Sequence, residues 1–234
     1  MDSESTGDSE PTEDPASIGG PTSTGDPQST YDRIASHFSK TREYAWPEVE
    51  SFLEGRSATR ALDVGCGNGR HTEALVSHAD TAVGVDLSRG LLDEALSRAR
   101  DRGFADAAAF VHGDAASLPV RDDAVDLAAY VATLHHLSPR AARVESLNEL
   151  ARVLAPGGVA LVSAWSTAHD RFDRDEGFDT TVDWTLPGGE TVPRYYHIYS
   201  PAEFESDLAA SDLELRHTRV SSGNCYAVVS AVSR

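Results

Sequence analysis

The chain has 234 residues, which is enough for one substantial α/β domain with a buried core. No stretch approaches about 18 consecutive apolar residues, so no membrane-spanning helix is expected. The N-terminus has no basic segment followed by an apolar one, so no secretory signal is expected either. Cys66 and Cys225 lie far apart and in no metal-ligand spacing, which favours a reducing, cytoplasmic setting.

The charge balance is strongly acidic, with 38 acidic residues against 20 basic ones and a net charge of −18. One interpretation is an ordinary acidic enzyme; we favour a halophilic protein, in which a dense carboxylate surface maintains hydration in molar salt. Acidity normally argues against a nucleic-acid partner. At about 1 M salt the Debye length falls to about 3 Å, so long-range repulsion vanishes and only local contacts decide.

Residues 1–30 differ in composition from the rest of the chain. They contain seven acids, no base and no aromatic residue, and Ser, Thr, Gly and Pro fill most of the other positions. Such a segment cannot bury enough apolar surface to offset its ordering entropy. We therefore predict a disordered acidic tail over 1–30 and a single domain over 31–234, the alternative for the tail being a partner-binding arm.

Helix and strand patterns alternate along residues 31–165. Helices are predicted at 31–40, from Pro47, at 69–78, from the cap Ser88, and from Ser138-Pro139 to the closing pair Gly157-Gly158. Strands are predicted at 58–65, 81–86, 107–114, 125–133 and 157–165. This alternation predicts parallel βαβ units in a Rossmann-like α/β fold, with ligands at the carboxyl ends of the strands.

A glycine-rich turn follows the first predicted strand, in the segment LDVGCGNGRH at 62–71. Its glycines, Gly65, Gly67 and Gly69, form the pattern GxGxG. A dinucleotide fingerprint requires GxGxxG, with its third glycine where Arg70 stands, and the GxxxxGK[ST] phosphate loop is absent as well. The turn therefore predicts a third kind of ligand.

Three acids follow successive predicted strands. Asp63 precedes the glycine turn and suits a cationic ligand, Asp86 ends the second strand where an acid accepts ribose hydroxyls, and Asp114 lies within reach of an adenine amino group. A cationic nucleoside without a phosphate fits all three, which describes S-adenosylmethionine (SAM). The plainer reading, that Asp63 and Asp86 only cap helices, leaves their joint spacing unexplained.

This set of motifs resembles the class I SAM-dependent methyltransferases over residues 58–166. The resemblance implies a mostly parallel seven-stranded sheet with helices on both faces. It implies cofactor contacts from Asp63, Gly65, Gly67, Asn68, Gly69, Asp86, Asp114 and Ala115.

The flanking segments carry a narrower resemblance. YDRIASHFSKTREYAWPEVESFL, LHHL, RYYHIY and SGNCYAVV look like the tRNA methyltransferases that esterify 5-carboxymethyluridine at the wobble position. That family implies the tRNA anticodon loop as a partner. It also implies a small zinc-binding activator protein, for which the apolar edge strand at 107–114 is a candidate surface. One departure is that Cys225, not an aromatic residue, follows Asn224, which puts a stacking role there in doubt.

Candidate catalytic residues follow from that reaction. A carboxylate with a pKa of about 4 is already ionised near neutrality, so the reaction requires alignment and no general base. Arg42 and Arg194 are candidates to hold the carboxylate, because a guanidinium fork matches it. His135 and His136 follow the fourth strand; in an extended stretch only one of them would face the site.

Substrate-binding candidates lie in the late segments: Tyr195, Tyr196, His197 and Asn224. The two tyrosines either stack on a base or form the core of a hairpin. No metal site is expected, because no carboxylate or cysteine stands at a ligand spacing from the two histidines. Two other functions stay open: a small-molecule methyltransferase acting on a quinone, phenol or carboxylic acid, and a non-catalytic SAM-binding protein, against which the intact acids and glycines argue.

Overall fold

The computed structural model describes residues 25–232. Its helices are α1 (Pro27–Lys40), α2 (Pro47–Leu53), α3 (Arg70–Val76), α4 (Arg89–Arg102), α5 (Arg140–Val153) and α6 (Pro201–Ala209), with a short 3₁₀ helix at Leu134–His136. Its strands are β1 (Ala58–Val64), β2 (Ala79–Asp86), β3 (Ala108–His112), β4 (Val125–Tyr130), β5 (Leu154–Trp165), β6 (Phe178–Thr185), β7 (Thr191–Ile198), β8 (Leu213–Ser221) and β9 (Asn224–Ala231).

Seven strands form one sheet in the order β3-β2-β1-β4-β5-β9-β8. The first five run parallel, and β9 and β8 pair antiparallel. The predicted mostly parallel seven-stranded sheet is therefore confirmed. Because the parallel strands share one direction, the turns after β1, β2 and β4 meet at one edge of the sheet.

Both faces of the central strand β4 are buried, which explains its almost continuous apolar sequence. Ala128 and Tyr130 pack in one core with Leu147 of α5, whereas Leu127 and Ala129 pack in a second core under α2 and α3. The Tyr130 hydroxyl donates a hydrogen bond to Ser146 (2.8 Å), which satisfies a polar group in the first core.

Strands β6 and β7 form a separate antiparallel hairpin that packs on α1. Trp184 and Val192 of the hairpin enclose Ile34, and the Trp184 indole N–H donates to Nδ1 of His37 (3.0 Å). The hairpin and α1 together lie over the edge where the parallel strands end, because β7 also contacts the 3₁₀ helix that follows β4.

The structure makes four corrections to the predicted elements. Helix α1 begins at Pro27, with the Asp26 side chain accepting from Ser29 N, so the predicted tail ends too late; residues 1–24 lie outside the described part of the chain. Helix α5 ends at Val153, and the pair Gly157-Gly158 lies within β5 near an irregular register with β4. Strand β4 ends at Tyr130, because Ala132 has a left-handed φ of 55°.

The fourth correction concerns His135 and His136, which lie in the 3₁₀ helix and not in an extended stretch. Within residues 25–232, none of the helices combines the length and apolar character that crossing a bilayer requires.

Removing core volume should destabilise the fold in proportion to burial. Leu147 of α5 is fully buried, so Leu147→Ala should lower the free energy of unfolding by about 2–5 kcal/mol in urea titrations. Leu96→Ala, on the 37% exposed position of α4, should change it by less than about 0.5 kcal/mol. Equal losses for the two variants would contradict this assignment of the core.

Candidate active site

A cavity of about 290 Å³ opens where β1, β2 and β4 end. The glycine turn, the end of β2, the loop after β3 and the 3₁₀ helix supply most of its wall, and α1 covers one side through Tyr31 and Phe38. The site therefore lies at the carboxyl edge that the parallel topology creates.

The three glycines of the turn all have left-handed φ angles but serve different purposes. A Cβ on Gly65 (φ 69°) would meet Thr133 at 2.1 Å, whereas one on Gly67 (φ 54°) would meet nothing closer than Phe38 at 4.0 Å. Gly65 and Gly67 line the cavity, and the open space at Gly67 lets a ligand approach the backbone. Gly69 does not line the cavity; a Cβ there would lie 3.2 Å from Ala95 and Phe110, so the lack of a side chain permits close packing at the start of α3, and its contact with the cofactor stays a prediction.

Asp86 joins the end of β2 to the glycine turn. Its Oδ2 accepts from the backbone N–H of Gly67 and its Oδ1 from that of Ser88, both at 2.8 Å. Burial raises the pKa of Asp86 to about 6, although the two hydrogen bonds oppose the shift. The carboxylate lines the cavity and retains lone pairs, so it can accept ligand hydroxyl groups.

Asp63 does not line the cavity. It is 1% exposed beneath the turn, and its Oδ2 accepts from the Thr72 hydroxyl of α3 (2.7 Å). Burial raises its pKa to about 7. Asp63 therefore joins β1 to α3, and its direct contact with a cationic ligand stays a prediction.

The remaining cofactor candidates lie in the cavity wall. Asp114 is exposed there and accepts from Ala116 N (2.8 Å), and Ala115 is its neighbour in the wall. Asn68 also lines the cavity, but its amide donates to the carbonyl of Arg42 (2.9 Å) and so ties the glycine turn to the segment after α1.

Tyr31 and His136 form the opposite end of the cavity. His136 Nδ1 lies 3.0 Å from the Tyr195 carbonyl, which requires a proton on Nδ1, so Nε2 accepts from the Tyr31 hydroxyl at 2.9 Å. Burial lowers the pKa of His136 to about 3 and the Arg194 charge contributes, so the imidazole is neutral. Burial also raises the pKa of Tyr31.

His135 points away from the cavity wall. It is 1% exposed, its Nδ1 accepts from Trp165 N (3.1 Å), and its ring stacks on Tyr196 at 4.9 Å. Burial holds its pKa well below the ordinary value. His136 lines the cavity and His135 does not, and the catalytic roles of both histidines stay predictions.

The two candidate arginines come together on one aromatic ring. Arg42 and Arg194 are both buried, and their guanidinium carbons lie 5.2 and 5.0 Å from the Trp184 ring centroid. Arg194 donates to the Tyr196 hydroxyl (2.7 Å) and hydrogen-bonds the hydroxyl of Tyr31. Tyr31 therefore separates the arginine pair from the cavity by a single side chain.

The predicted substrate-binding residues lie outside the cavity wall. Tyr195 is half-buried and donates to Asp179 (2.7 Å), and Tyr196 packs in the hairpin core with Trp165. His197 bridges Asp179 and Glu203 at 2.7 and 2.8 Å, and Asn224 pairs opposite Trp165 at the start of β9. Their contact with a substrate stays a prediction.

Several residues of the site do not stand out in the sequence. Tyr31, Phe38, Arg70, His71 and Thr133 line the cavity, and Trp184 carries the arginine pair. Tyr31 and Phe38 stand seven positions apart on one face of α1, inside the N-terminal flank motif, which is a signal that could have found them. Trp184 lies in β6 and reaches the arginines because the hairpin packs on α1, an arrangement that no local sequence pattern predicts.

The polar groups of the cavity fit SAM. Asp86 and Asp114 can accept from ribose hydroxyls and an adenine amino group, the left-handed turn at Gly67 leaves space for close approach, and Arg70 offers a cation to a ligand carboxylate. The strand order, with β9 and β8 antiparallel at one end, completes the pattern. The fold and site together define a class I SAM-dependent methyltransferase.

Comparisons with known proteins agree. A family model described as a methyltransferase domain matches residues 62–162. A protein of Encephalitozoon cuniculi that carries a methyltransferase name is 36% identical over 177 residues, 72% of this chain and 78% of that protein. The chain belongs to the methyltransferase family.

Relatives with more specific names are longer. The mouse tRNA (carboxymethyluridine(34)-5-O)-methyltransferase ALKBH8 is 41% identical over 138 residues, 58% of this chain and 19% of that protein. The enzyme of the same name from Saccharomyces cerevisiae is 34% identical over 169 residues, 70% of this chain and 58% of that protein. The chain thus spans from about a fifth to somewhat over half of the length of these two relatives.

Solved structures show the same fold at low identity. The CcbJ methyltransferase of Streptomyces caelestis superposes with a TM-score of 0.72 at 19% identity, over 89% of this chain and all of that one. A methyltransferase in complex with the Haloferax volcanii Trm112 activator gives 0.66 at 16% identity, over 89% of this chain and 99% of that one.

The raised pKa of Asp86 makes SAM binding depend on pH. Ribose hydroxyls donate more strongly to an ionised carboxylate, so binding lowers this pKa, and affinity should rise with pH through about 6 and then level off. Asp86→Asn should remove the rise and weaken binding about ten- to a hundredfold at pH 8, since a bond to a charged group is worth about 1.5–3 kcal/mol.

Calorimetric titration of SAM from about pH 5 to 8 measures this. Asp63→Asn, outside the cavity, is the control and should keep the rise through about pH 6. NAD should not bind. A flat profile for the wild-type protein, or tighter binding of NAD than of SAM, would contradict the assignment.

Proposed function

We propose that the protein transfers a methyl group from SAM to the carboxylate of 5-carboxymethyluridine at the wobble position of tRNA. The names of the mouse and yeast relatives support this substrate, and so do the flank motifs. The observation that carries the proposal is the buried pair Arg42 and Arg194 on Trp184, one side chain away from the cavity. Such a pair is suited to a planar anion.

The cavity residues divide the cofactor between them. Asp86 would accept from the ribose, Asp114 would accept from the adenine amino group, and Arg70 would hold the methionyl carboxylate. When bound, SAM supplies an electrophilic methyl group on a sulfonium. The chain would then have to hold a nucleophile in line with this methyl group at the Tyr31 end of the cavity. Alignment of this kind raises the effective concentration of the nucleophile.

A carboxylate nucleophile would need no proton acceptor, which agrees with the state of His136 at this end of the cavity. His136 uses both ring nitrogens, one toward the Tyr195 carbonyl and one for the Tyr31 hydroxyl, and its lowered pKa keeps it neutral. A carboxylate with a pKa of about 4 has no proton to lose near neutrality. Arg42 and Arg194 would fix its orientation, while His136 fixes Tyr31 between them and the cavity.

Removing one guanidinium should impair substrate use and spare the cofactor. Arg194→Gln or Arg42→Gln should lower kcat/KM for tRNA carrying 5-carboxymethyluridine about ten- to a hundredfold, the equivalent of about 1.5–3 kcal/mol. Arg194→Lys should recover only part of the activity, because a point charge cannot reproduce the fork. SAM titration and thermal unfolding check that each variant still folds, since both arginines are buried.

The pH profile separates this reaction from methylation of a phenol. At saturating SAM the rate should be flat between about pH 7 and 8.5, because the nucleophile is already ionised. A rate that climbs with pH, or full activity of the Arg42→Gln/Arg194→Gln double variant, would favour a small-molecule substrate.

We also propose that a small activator protein covers strand β3; a methyltransferase of the same fold has been solved in complex with the Haloferax volcanii Trm112 activator. Strand β3 has five residues and stands at the sheet edge, with Phe110 and Val111 only partly buried. An uncovered apolar edge strand is a template for pairing with another chain.

Co-expression with the Haloferax volcanii activator should therefore raise the yield of soluble protein and its activity, and the two chains should co-purify. Ala109→Lys, an exposed position of β3, should weaken co-purification at least about tenfold by placing a charge on the edge. Leu96→Lys on exposed α4 is the matched control and should have no effect. A fully active protein without a partner would count against this proposal.

A further inference from the structure

A second concave site lies between α2 and the antiparallel end of the sheet. It has a volume of about 160 Å³, and we call it the arginine groove. Its wall consists of Ser51, Phe52, Arg56, Leu161, His217, Arg219, Tyr226 and Val228. None of these residues belongs to the wall of the cofactor cavity, so the methyl-transfer site does not account for the groove.

The charge of the groove contrasts with that of the chain. Among the described residues that line it there are two arginines and a histidine but no carboxylate, although the sequence has 38 acids and 20 bases. A neighbouring acid, Glu48, accepts from the Ser221 hydroxyl (2.7 Å). The groove is therefore a cationic site on an anionic protein.

Aromatic rings hold both guanidiniums. Arg56 lies 4.5 Å over the Phe52 ring and donates from Nη1 to the Phe52 carbonyl, and Arg219 lies 5.7 Å from the ring of Tyr226. These contacts position the two cations and leave their charge in place, whereas a carboxylate partner would neutralise it. The donors that remain on each guanidinium can bind an oxyanion in a bidentate geometry.

A row of side chains links the groove to the cofactor cavity. The ring of Tyr226 lies 6.4 Å from that of Trp46, which lies 6.1 Å from the ring of His71 in the cavity wall. Arg70, also in the wall, lies 5.2 Å from the Trp46 ring. Trp46, His71 and Tyr226 are all buried, so this row runs through the interior and places the two sites on neighbouring parts of the molecule.

We infer that the arginine groove binds the phosphodiester backbone of the RNA whose modified base enters the active site. This inference rests on the proposed function. Two guanidiniums in one groove match the oxygen atoms of phosphate groups, because each can bind them in a bidentate geometry. Close bidentate contacts also persist at high salt, where long-range attraction is screened, so such a groove suits an acidic protein.

The test measures binding of a labelled anticodon stem-loop containing 5-carboxymethyluridine by fluorescence anisotropy, over a series of KCl concentrations. The double variant Arg56→Gln/Arg219→Gln should raise Kd at least about tenfold and reduce the slope of log K against log salt by about 2, one per lost phosphate contact. Both kcat at saturating stem-loop and SAM affinity should be unchanged.

Arg121→Gln, at an exposed position before β4 and outside the groove, is the matched control for loss of charge and should leave Kd and slope unchanged. If the double variant fails to fold because Arg56 also bonds the Phe52 carbonyl, Arg219→Glu alone provides the test, since Arg219 is exposed. Unchanged Kd and slope in the folded groove variant would overturn the inference.

Two further arms separate the remaining explanations. Calorimetry with inorganic phosphate distinguishes a free anion: phosphate binding that Arg219→Glu abolishes, with unchanged stem-loop affinity, would overturn the RNA assignment. Methylation of the stem-loop by the wild-type protein tests the proposed function separately. Binding that depends on Arg56 and Arg219 but is not followed by methylation would support the groove and refute the wobble-uridine reaction. Methylation with binding that does not depend on these arginines would support the reaction and refute the role of the groove.

Discussion

The site depends on the two hydrogen bonds that the Asp86 carboxylate accepts, because they join the segments that follow two neighbouring strands. By accepting from Gly67 the carboxylate holds the left-handed glycine turn after β1, and by accepting from Ser88 it holds the start of α4 after β2. A single acid thus fixes the gap between the two segments that form most of the cavity wall. Its raised pKa shows the electrostatic cost of placing it there, which a hydroxyl-rich cationic ligand would relieve.

The aromatic surroundings of the arginines address a second electrostatic problem. A buried guanidinium is costly unless it is compensated, and a carboxylate partner would compensate it at the expense of its attraction for an anionic substrate. Trp184, Phe38 and Tyr196 offer ring faces to Arg42 and Arg194, and such faces attract a cation through their quadrupoles. The same device appears at Arg56 and Arg219, so it recurs in a protein whose surface is overwhelmingly acidic.

How far the sequence predicted this molecule depended on the range of the contacts involved. The parallel strands, the glycine turn and Asp86 were predictable, because strand–turn–helix units are local and their spacing is set by the backbone. Arg42 and Arg194, which lie 152 positions apart in the chain, were both proposed from the sequence because a guanidinium suits a carboxylate substrate. The sequence did not show that Trp184 packs against both guanidiniums, that Asp63 bonds Thr72 or that Gly69 lies against Phe110, because those contacts depend on which side chains meet in three dimensions.

The side-chain amide of Asn68 connects the glycine turn to the segment that contains Arg42. It donates from the glycine turn to the carbonyl of Arg42, so the backbone of the segment that contains the proposed carboxylate-binding arginine is bonded to the turn of the proposed cofactor site. This buried hydrogen bond is a direct connection between the two segments. Thermodynamic linkage makes any such coupling reciprocal: if occupancy of the turn orders the Arg42 segment and improves substrate binding, then the substrate improves cofactor binding by the same factor. The enzyme would then favour the ternary complex over either binary one, and a cofactor bound alone would be held less tightly than one facing its acceptor.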